Sequence, residues 1–222
     1  MEGLQVEVQR KPVRAARLYV LPPDGAVRVS VPAIMDDRQV ATLLQDHLPW
    51  VRARQARLAA QPRWSPLQLD DGAVLYLAGE PRPLRRVVAV GGVSVRDRGA
   101  HDIELRAPAD AAEPLLRAAL DSWLRGQLRE RAAALVAHWQ PRLQVKVAEL
   151  RVRRMRTRWG TCNVPARRVW LSLELVHRPP DSLEYVVVHE MTHLLERGHG
   201  ARFQALMDDF MPDWRERRAR LH

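Results

Sequence analysis

The chain has little cysteine and no long apolar run. Its 222 residues include one cysteine, Cys162, so no disulfide can form within the chain. A single thiol suits a reducing cytoplasm, and the first five residues lack the basic and then apolar pattern of a signal peptide. No apolar stretch approaches the roughly 20 residues that a membrane-spanning helix needs. These absences predict a soluble cytoplasmic protein that does not enter a membrane.

Lysine is also scarce, and the basic charge comes almost entirely from arginine. The formal net charge is +10, and Lys11 and Lys146 are the only lysines. A basic surface could attract nucleic acid. The arginines are spread along the chain, however, which favours a compositional bias of a G+C-rich genome. No zinc finger or helix-turn-helix motif is visible, so binding of nucleic acid is possible but no motif supports it.

The patterns of apolar residues divide the chain into a strand-rich and a helix-rich part. We predict a strand-rich N-terminal region over residues 1–108 and a second domain over residues 109–222. Predicted strands lie at 17–21, 26–31, 73–77, 86–90, 101–105, 145–155 and 167–175. Predicted helices lie at 36–60 with a break at Pro49, and at 113–139, 182–197 and 201–211.

The most informative pattern is His189-Glu190-Met191-Thr192-His193, an H-E-x-x-H motif. On a helix, two histidines four residues apart share one face, with Cβ atoms roughly 5–6 Å apart. Both imidazoles can then reach one tetrahedral Zn²⁺. Glu190 lies about 100° around the helix, from where its carboxylate can reach a metal-bound water without binding the metal. This is the geometry of a hydrolytic zinc site.

The flanking residues predict the helix that the motif requires. Asp181 can cap its N-terminus, and Glu184 stands three residues later at the spacing of a capping box. Gly198 is placed to end the helix in a left-handed conformation. A helix over 182–197 would therefore present both histidines.

A third metal ligand is expected from His199, which follows the predicted helix end. Glu196 is a competitor on the same helix face, but it lies roughly 10 Å along the axis from His189. Asp208 and Asp209 on the next predicted helix are weaker candidates. Three protein ligands leave the fourth position open for water, which is typical of a catalytic zinc site.

Four segments resemble the YgjP-like family of bacterial zinc metallopeptidases and, more distantly, the SprT and Spartan-type proteases. They are Arg156–Asn163, Leu171–Leu175, Tyr185–Leu194 and His199–Phe203. The resemblance implies a zincin-like α+β domain in which the active-site helix lies against a small sheet. It also implies metal ligands at His189, His193 and His199, and a catalytic glutamate at Glu190.

The expected reaction is hydrolysis of peptide bonds in a protein or peptide substrate. Zn²⁺ would activate a water molecule, and Glu190 would act as general base. Candidates for stabilising the oxyanion are Arg158, His177 and Tyr185. Cys162 could bind metal as a thiolate, although a lone cysteine is more often a small buried apolar residue.

The alternative is a non-enzymatic module with a structural zinc ion. Its basic surface would bind nucleic acid or a partner protein. A closed site with four protein ligands would favour this module, whereas an open position facing a groove would favour the enzyme. A third possibility is a protease that is recruited to nucleic acid.

Overall fold

The fold combines β-sheets with α-helices, and the computed structural model describes residues 4–21, 25–60, 69–99, 101–155 and 157–221. The predicted α+β class is confirmed. The chain forms two compact units, Met1–Ser65 and Pro66–His222. Among the helices that the structure describes, none is long and apolar enough to span a bilayer.

The first unit contains a three-stranded sheet and two helices. Its elements are β1 (Val6–Lys11), β2 (Arg17–Leu21), β3 (Ala26–Pro32), α1 (Asp37–Asp46) and α2 (Leu48–Ala60). The sheet order is β1-β3-β2, with β3 parallel to β1 and antiparallel to β2. Buried valines of β3 and of the helices form its core.

The predicted hairpin and the predicted helix break are both found in this unit. β2 and β3 pair as a hairpin, although residues 22–24 of its turn lie outside the described residues. Pro49 lies in the first turn of α2, where it costs no backbone hydrogen bond because the first N–H groups of a helix have no helical acceptor.

The second unit contains two sheets around a long helix. Its elements are β4 (Val74–Leu77), β5 (Glu80–Val88), β6 (Ser94–Asp97), β7 (Ile103–Ala107), α3 (Glu113–Leu143), β8 (Glu149–Arg153), β9 (Gly160–Asn163), β10 (Arg168–Ser172), a 3₁₀ helix (Leu173–His177), α4 (Pro180–Thr192), α5 (Ala201–Phe210) and α6 (Trp214–Arg220). The sheet orders are β4-β5-β7-β6 and β8-β10-β9.

One apolar core joins the strands and helices of the second unit. Leu84 and Ile103 from the four-stranded sheet, Leu128 from α3 and Val187 from α4 are all fully buried in it. The predicted boundary between residues 108 and 109 falls inside this unit, because β4–β7 bury their apolar side chains in the same core as α3.

Several predicted bounds differ from the structure, and two of them have a clear physical reason. α3 was expected to end before Pro141, but it continues to Leu143 and closes at Gln144 with a positive φ of 53°. Burial of Leu143 holds the last turn in the core despite the missing N–H of the proline. The predicted strand 167–175 ends at Ser172, and the 3₁₀ helix follows it.

Candidate active site

Helix α4 places the H-E-x-x-H motif, and it begins differently from the prediction. Pro180 is its first residue, a position for which the fixed φ of proline is already suited. The predicted capping box is wrong. Asp181 accepts a hydrogen bond from the Ser182 N–H at 2.8 Å, and Glu184 accepts one from Trp139 Nε1 at 3.0 Å.

The helix also ends earlier than predicted, at Thr192 instead of Arg197. The N–H groups of Leu195 and Glu196 both donate to the Thr192 carbonyl at 2.9 and 3.0 Å, so the chain tightens directly after the motif. Gly198 does not adopt the predicted left-handed conformation. This early end lets the chain turn back, so that His199 faces the two motif histidines.

The three predicted histidines come together in one cluster, the histidine trio of His189, His193 and His199. One ring nitrogen of each lies within 4.8 Å of the others. The Nε2 atoms of His189 and His199 are 3.1 Å apart, and the ring centroids of His193 and His199 are 4.7 Å apart. The trio could therefore hold a metal ion.

His193 and His189 make their contacts with neighbouring groups through Nδ1, so the Nε2 atom of each ring can bind a metal ion. His193 Nδ1 donates to the Glu196 carbonyl at 3.1 Å, and His189 Nδ1 lies 3.4 Å from the Tyr185 hydroxyl. Burial lowers the pKa of His189 to about 3 and also lowers the pKa of His193. Both imidazoles are thus neutral near pH 7, the form that binds a metal.

Phe203 of α5 forms an apolar floor beneath the trio. Its side chain is buried, and its ring centroid lies 5.0 Å from that of His189 and 4.9 Å from those of His193 and His199. The contact limits the positions that the three rings can adopt, since a buried aromatic ring cannot move without disturbing the core.

Glu190 lies beside the trio with its carboxyl group almost out of contact with solvent. The residue is 6% exposed, and burial raises its pKa to about 8, an effect that the positive charge of Arg158 partly opposes. Its side chain packs on strand β9, where a Cβ added at Gly160 would lie 2.7 Å from Glu190 Cγ and 2.7 Å from Oε1. Only glycine leaves this space open.

The raised pKa predicts a pH-dependent gain in stability for Glu190→Gln. In the metal-free protein, Glu190 keeps its proton up to about pH 8, whereas an unfolded glutamate releases it near pH 4.3. The free energy of unfolding of the wild type should therefore fall across this interval. The glutamine variant avoids this loss, so its advantage should be negligible below pH 4 and reach a few kcal/mol above pH 8.

Denaturant unfolding in the presence of a chelator, at several pH values, measures this difference. Wild type and variant differ only at residue 190, so the comparison isolates the contribution of that side chain. Glu130→Gln, at an exposed position of α3, is the matched control and should show no such pH trend. If Glu190→Gln raised the free energy of unfolding equally at every pH, the raised pKa of Glu190 could not be the cause.

The other predicted candidates differ in whether they lie beside the trio. Arg158, Tyr185 and Cys162 line the cleft that also contains the trio. His177 does not line it, and its Nδ1 lies 2.6 Å from the Tyr76 carbonyl oxygen. Cys162 is not part of the histidine trio, and burial raises the pKa of its thiol to about 11, which disfavours the thiolate.

The competing ligands face other partners. Glu196 accepts a hydrogen bond from the trio through its backbone carbonyl, while its carboxylate accepts the Gly198 N–H at 3.2 Å. Asp208 accepts a hydrogen bond from Trp214 Nε1 at 2.8 Å and pairs with Arg215. Asp209 also lies outside the cluster that the described residues form.

The trio and Glu190 lie in an open cleft of about 980 Å³. One side is formed by residues 157–165, which include β9, and the other by α4, α5 and α6. β9 is an edge strand of its sheet. The arrangement leaves the trio accessible to a molecule that lies along β9.

Three residues of the site were not singled out from the sequence as functional. Gly160 had a signal, because a lone glycine within a strand often marks a close approach of another group. Phe203 fitted the apolar face of its helix and gave no further signal. Arg218 lies in the C-terminal helix, and only the packing of α6 beside α4 brings it into the cleft.

Comparison with known proteins identifies the family of the chain. The model of the YgjP-like metallopeptidase domain matches residues 15–222, while none of the curated proteins compared with the chain matches it significantly. Among solved structures, the crystal structure of the metallopeptidase zymogen abylysin of Pyrococcus abyssi is 17% identical and covers 40% of this chain and 90% of its own, with a TM-score of 0.38. That likeness is too weak to support an argument. Because the family match includes β9, the motif helix and His199, the chain belongs to the YgjP-like family of metallopeptidases.

Proposed function

We propose that this metallopeptidase depends on zinc, that His189, His193 and His199 bind the ion, and that Glu190 is the general base. The observation that supports this best is the convergence of three imidazoles and one buried carboxyl group in an open cleft. A chance group of surface histidines would not share the apolar floor that Phe203 provides.

The donor set fits a catalytic zinc ion. Imidazole nitrogen is a preferred zinc ligand, and three protein ligands with one open position are typical of catalytic sites. In the part of the chain that the structure describes, no fourth histidine, cysteine or carboxylate joins the trio. The non-enzymatic module considered above would need a closed site, so the donor set favours the enzyme.

The residues around the trio can move the protons that amide hydrolysis requires. When bound, zinc supplies Lewis-acid chemistry: it polarises a carbonyl and makes a water molecule more acidic. Glu190 takes the proton of the attacking water and delivers it to the leaving amine. Burial raises the pKa of Tyr185, so its hydroxyl stays protonated and can donate to the developing oxyanion.

The shape of the cleft favours an extended peptide as substrate. β9 pairs with β10, and the N–H of Ser172 donates to the carbonyl of Trp159 at 2.8 Å. Because bonded and non-bonded pairs alternate in an antiparallel ladder, the backbone groups of Gly160 and Cys162 face away from β10. A peptide can pair with this edge as an added strand.

Removal of metal tests the proposal directly. Purified protein should bind about one equivalent of zinc, as expected for a single three-histidine site, and should cleave unfolded casein. Dialysis against a chelator should abolish cleavage, because the trio alone cannot polarise a carbonyl. Zinc should then restore it. Cleavage that persists in metal-free protein would contradict the proposal, and so would zinc binding without any cleavage.

A further inference from the structure

The charged side chains that line the cleft are almost all of one sign. Arg158, Arg197 and Arg218 line it, and Glu190 is the only carboxylate among the described residues that do so. All three arginines are exposed. A groove with positive walls concentrates negatively charged ligands.

None of these arginines forms an ion pair within the described residues, although the charge of Arg158 also acts on Glu190. On α6, Arg215, Arg217 and Arg220 each pair with a carboxylate. Arg218, on the same helix, has no carboxylate within ion-pair distance among the residues described, and the same holds for Arg158 and Arg197. Three arginines of α6 therefore form ion pairs, whereas Arg218 lies unpaired in the lining of the cleft.

The positive surface continues past the edge strand into a second depression of about 420 Å³. Arg158, Thr157 and Thr161 line both spaces. Arg153 is added on the far side, with its guanidinium 4.6 Å from the centroid of the Trp170 ring. A ligand along β9 would thus meet positive charge beyond the cleft as well as within it.

We propose that the cleft selects peptides with aspartate or glutamate side chains near the bond to be cleaved, through Arg158, Arg197 and Arg218. This inference rests on the proposed function, since it names the substrate class of the same site. Carboxylates suit arginine because the guanidinium can donate two parallel hydrogen bonds to one carboxylate.

Nucleic acid is disfavoured as the ligand of this cleft, because the aromatic rings that line it are mostly buried. Proteins that hold single strands combine positive charge with exposed rings on which bases stack. Here Tyr185, Phe203 and Trp214 are buried, and the guanidinium of Arg178 lies 5.1 Å over the ring of Trp159. Three of the four tyrosine, phenylalanine and tryptophan rings that line the cleft are thus buried, and a guanidinium lies over the fourth.

Pairs of fluorescence-quenched peptide substrates test the proposal with the full-length, zinc-loaded protein. The two peptides of a pair are identical except that one has glutamate or aspartate near the cleaved bond where the other has glutamine or asparagine. We expect kcat/KM to be higher for the acidic member by about tenfold at low salt, the effect of two or three exposed ion pairs. The preference should shrink near 1 M salt, where screening is nearly complete.

Variants separate this role from a structural one. Arg158→Gln, Arg197→Gln and Arg218→Gln should each raise KM for acidic peptides and lower the ratio of kcat/KM between acidic and neutral peptides. Arg129→Gln removes the same charge at an exposed site of α3 outside the cleft and should change neither. Equal cleavage of acidic and neutral peptides would overturn the inference while leaving the peptidase assignment intact.

Binding provides a second measurement that does not need turnover. Zinc-loaded Glu190→Gln protein, titrated with labelled peptides, should bind the acidic member of each pair more tightly. Binding of single-stranded DNA that depends on the three arginines, without binding of the acidic peptide, would overturn the inference in favour of nucleic acid. Failure of all peptides to be cleaved by the wild type would instead refute the proposed function.

Discussion

Glu190→Gln should lose nearly all peptide hydrolysis while still binding zinc. General base catalysis contributes typically 10²–10⁴-fold, and the amide of glutamine cannot take the water proton. The trio is built from other side chains, so zinc binding should stay near one equivalent. The measurement is kcat together with the zinc content of the same sample.

Glu190→Gln changes the chemistry of residue 190 with little change in its shape. Glutamine has nearly the volume of glutamate, so the packing against Gly160 is retained and the fold should not be disturbed. The exposed control Glu130→Gln should keep wild-type turnover. If Glu190→Gln retained wild-type kcat, Glu190 would not be the base.

Gly160→Ala is expected to reduce kcat by about 100-fold, because a misplacement of 1 Å at a catalytic group can cost this much. The new Cβ would lie 2.7 Å from Glu190 Cγ and 3.0 Å from Cδ, so the carboxyl group has to move. The φ of Gly160 is not positive, and alanine therefore fits the backbone itself. The loss should appear in kcat with zinc content unchanged.

Two further variants distinguish displacement of Glu190 from general damage. Gly126→Ala on α3 is the control, since an added Cβ there meets nothing within 4 Å, and activity should be unchanged. Glu190→Asp shortens the side chain that the new Cβ would strike. In a double-mutant cycle with Glu190→Asp, the Gly160→Ala change should cost much less than in the wild type. If the losses of the two variants were fully additive, Gly160→Ala would not act through displacement of Glu190.

The features that depend on local spacing were the ones that the sequence predicted well. The hairpin of β2 and β3, the break near Pro49 and the helix that holds the motif all follow from patterns within about ten residues. The ends of α4 were less predictable. Asp181 and Glu184 have the spacing of a capping box, yet tertiary partners such as Arg217 and Arg220 bind their carboxylates instead.

The helix end after the motif shows why long-range contacts matter. Gly198 suggested a helix that continues to Arg197, but the helix stops at Thr192. Thr192 is itself buried, and its hydroxyl donates to the Val188 carbonyl at 2.8 Å. The tight turns that follow bring the Nε2 atom of His199 to 3.1 Å from the Nε2 atom of His189.

The sequence by itself predicted the chemistry: the H-E-x-x-H spacing places two imidazoles on one helix face with Glu190 beside them, and His199 follows the predicted helix end as the expected third ligand. Only the tertiary structure decided the environment of these groups. Burial beside Gly160 raises the pKa of Glu190, Phe203 supports the three rings, and α6 brings Arg218 into the cleft. The reason is physical. Ligand spacing is a property of one helix, whereas desolvation and electrostatic fields depend on every element that packs around it.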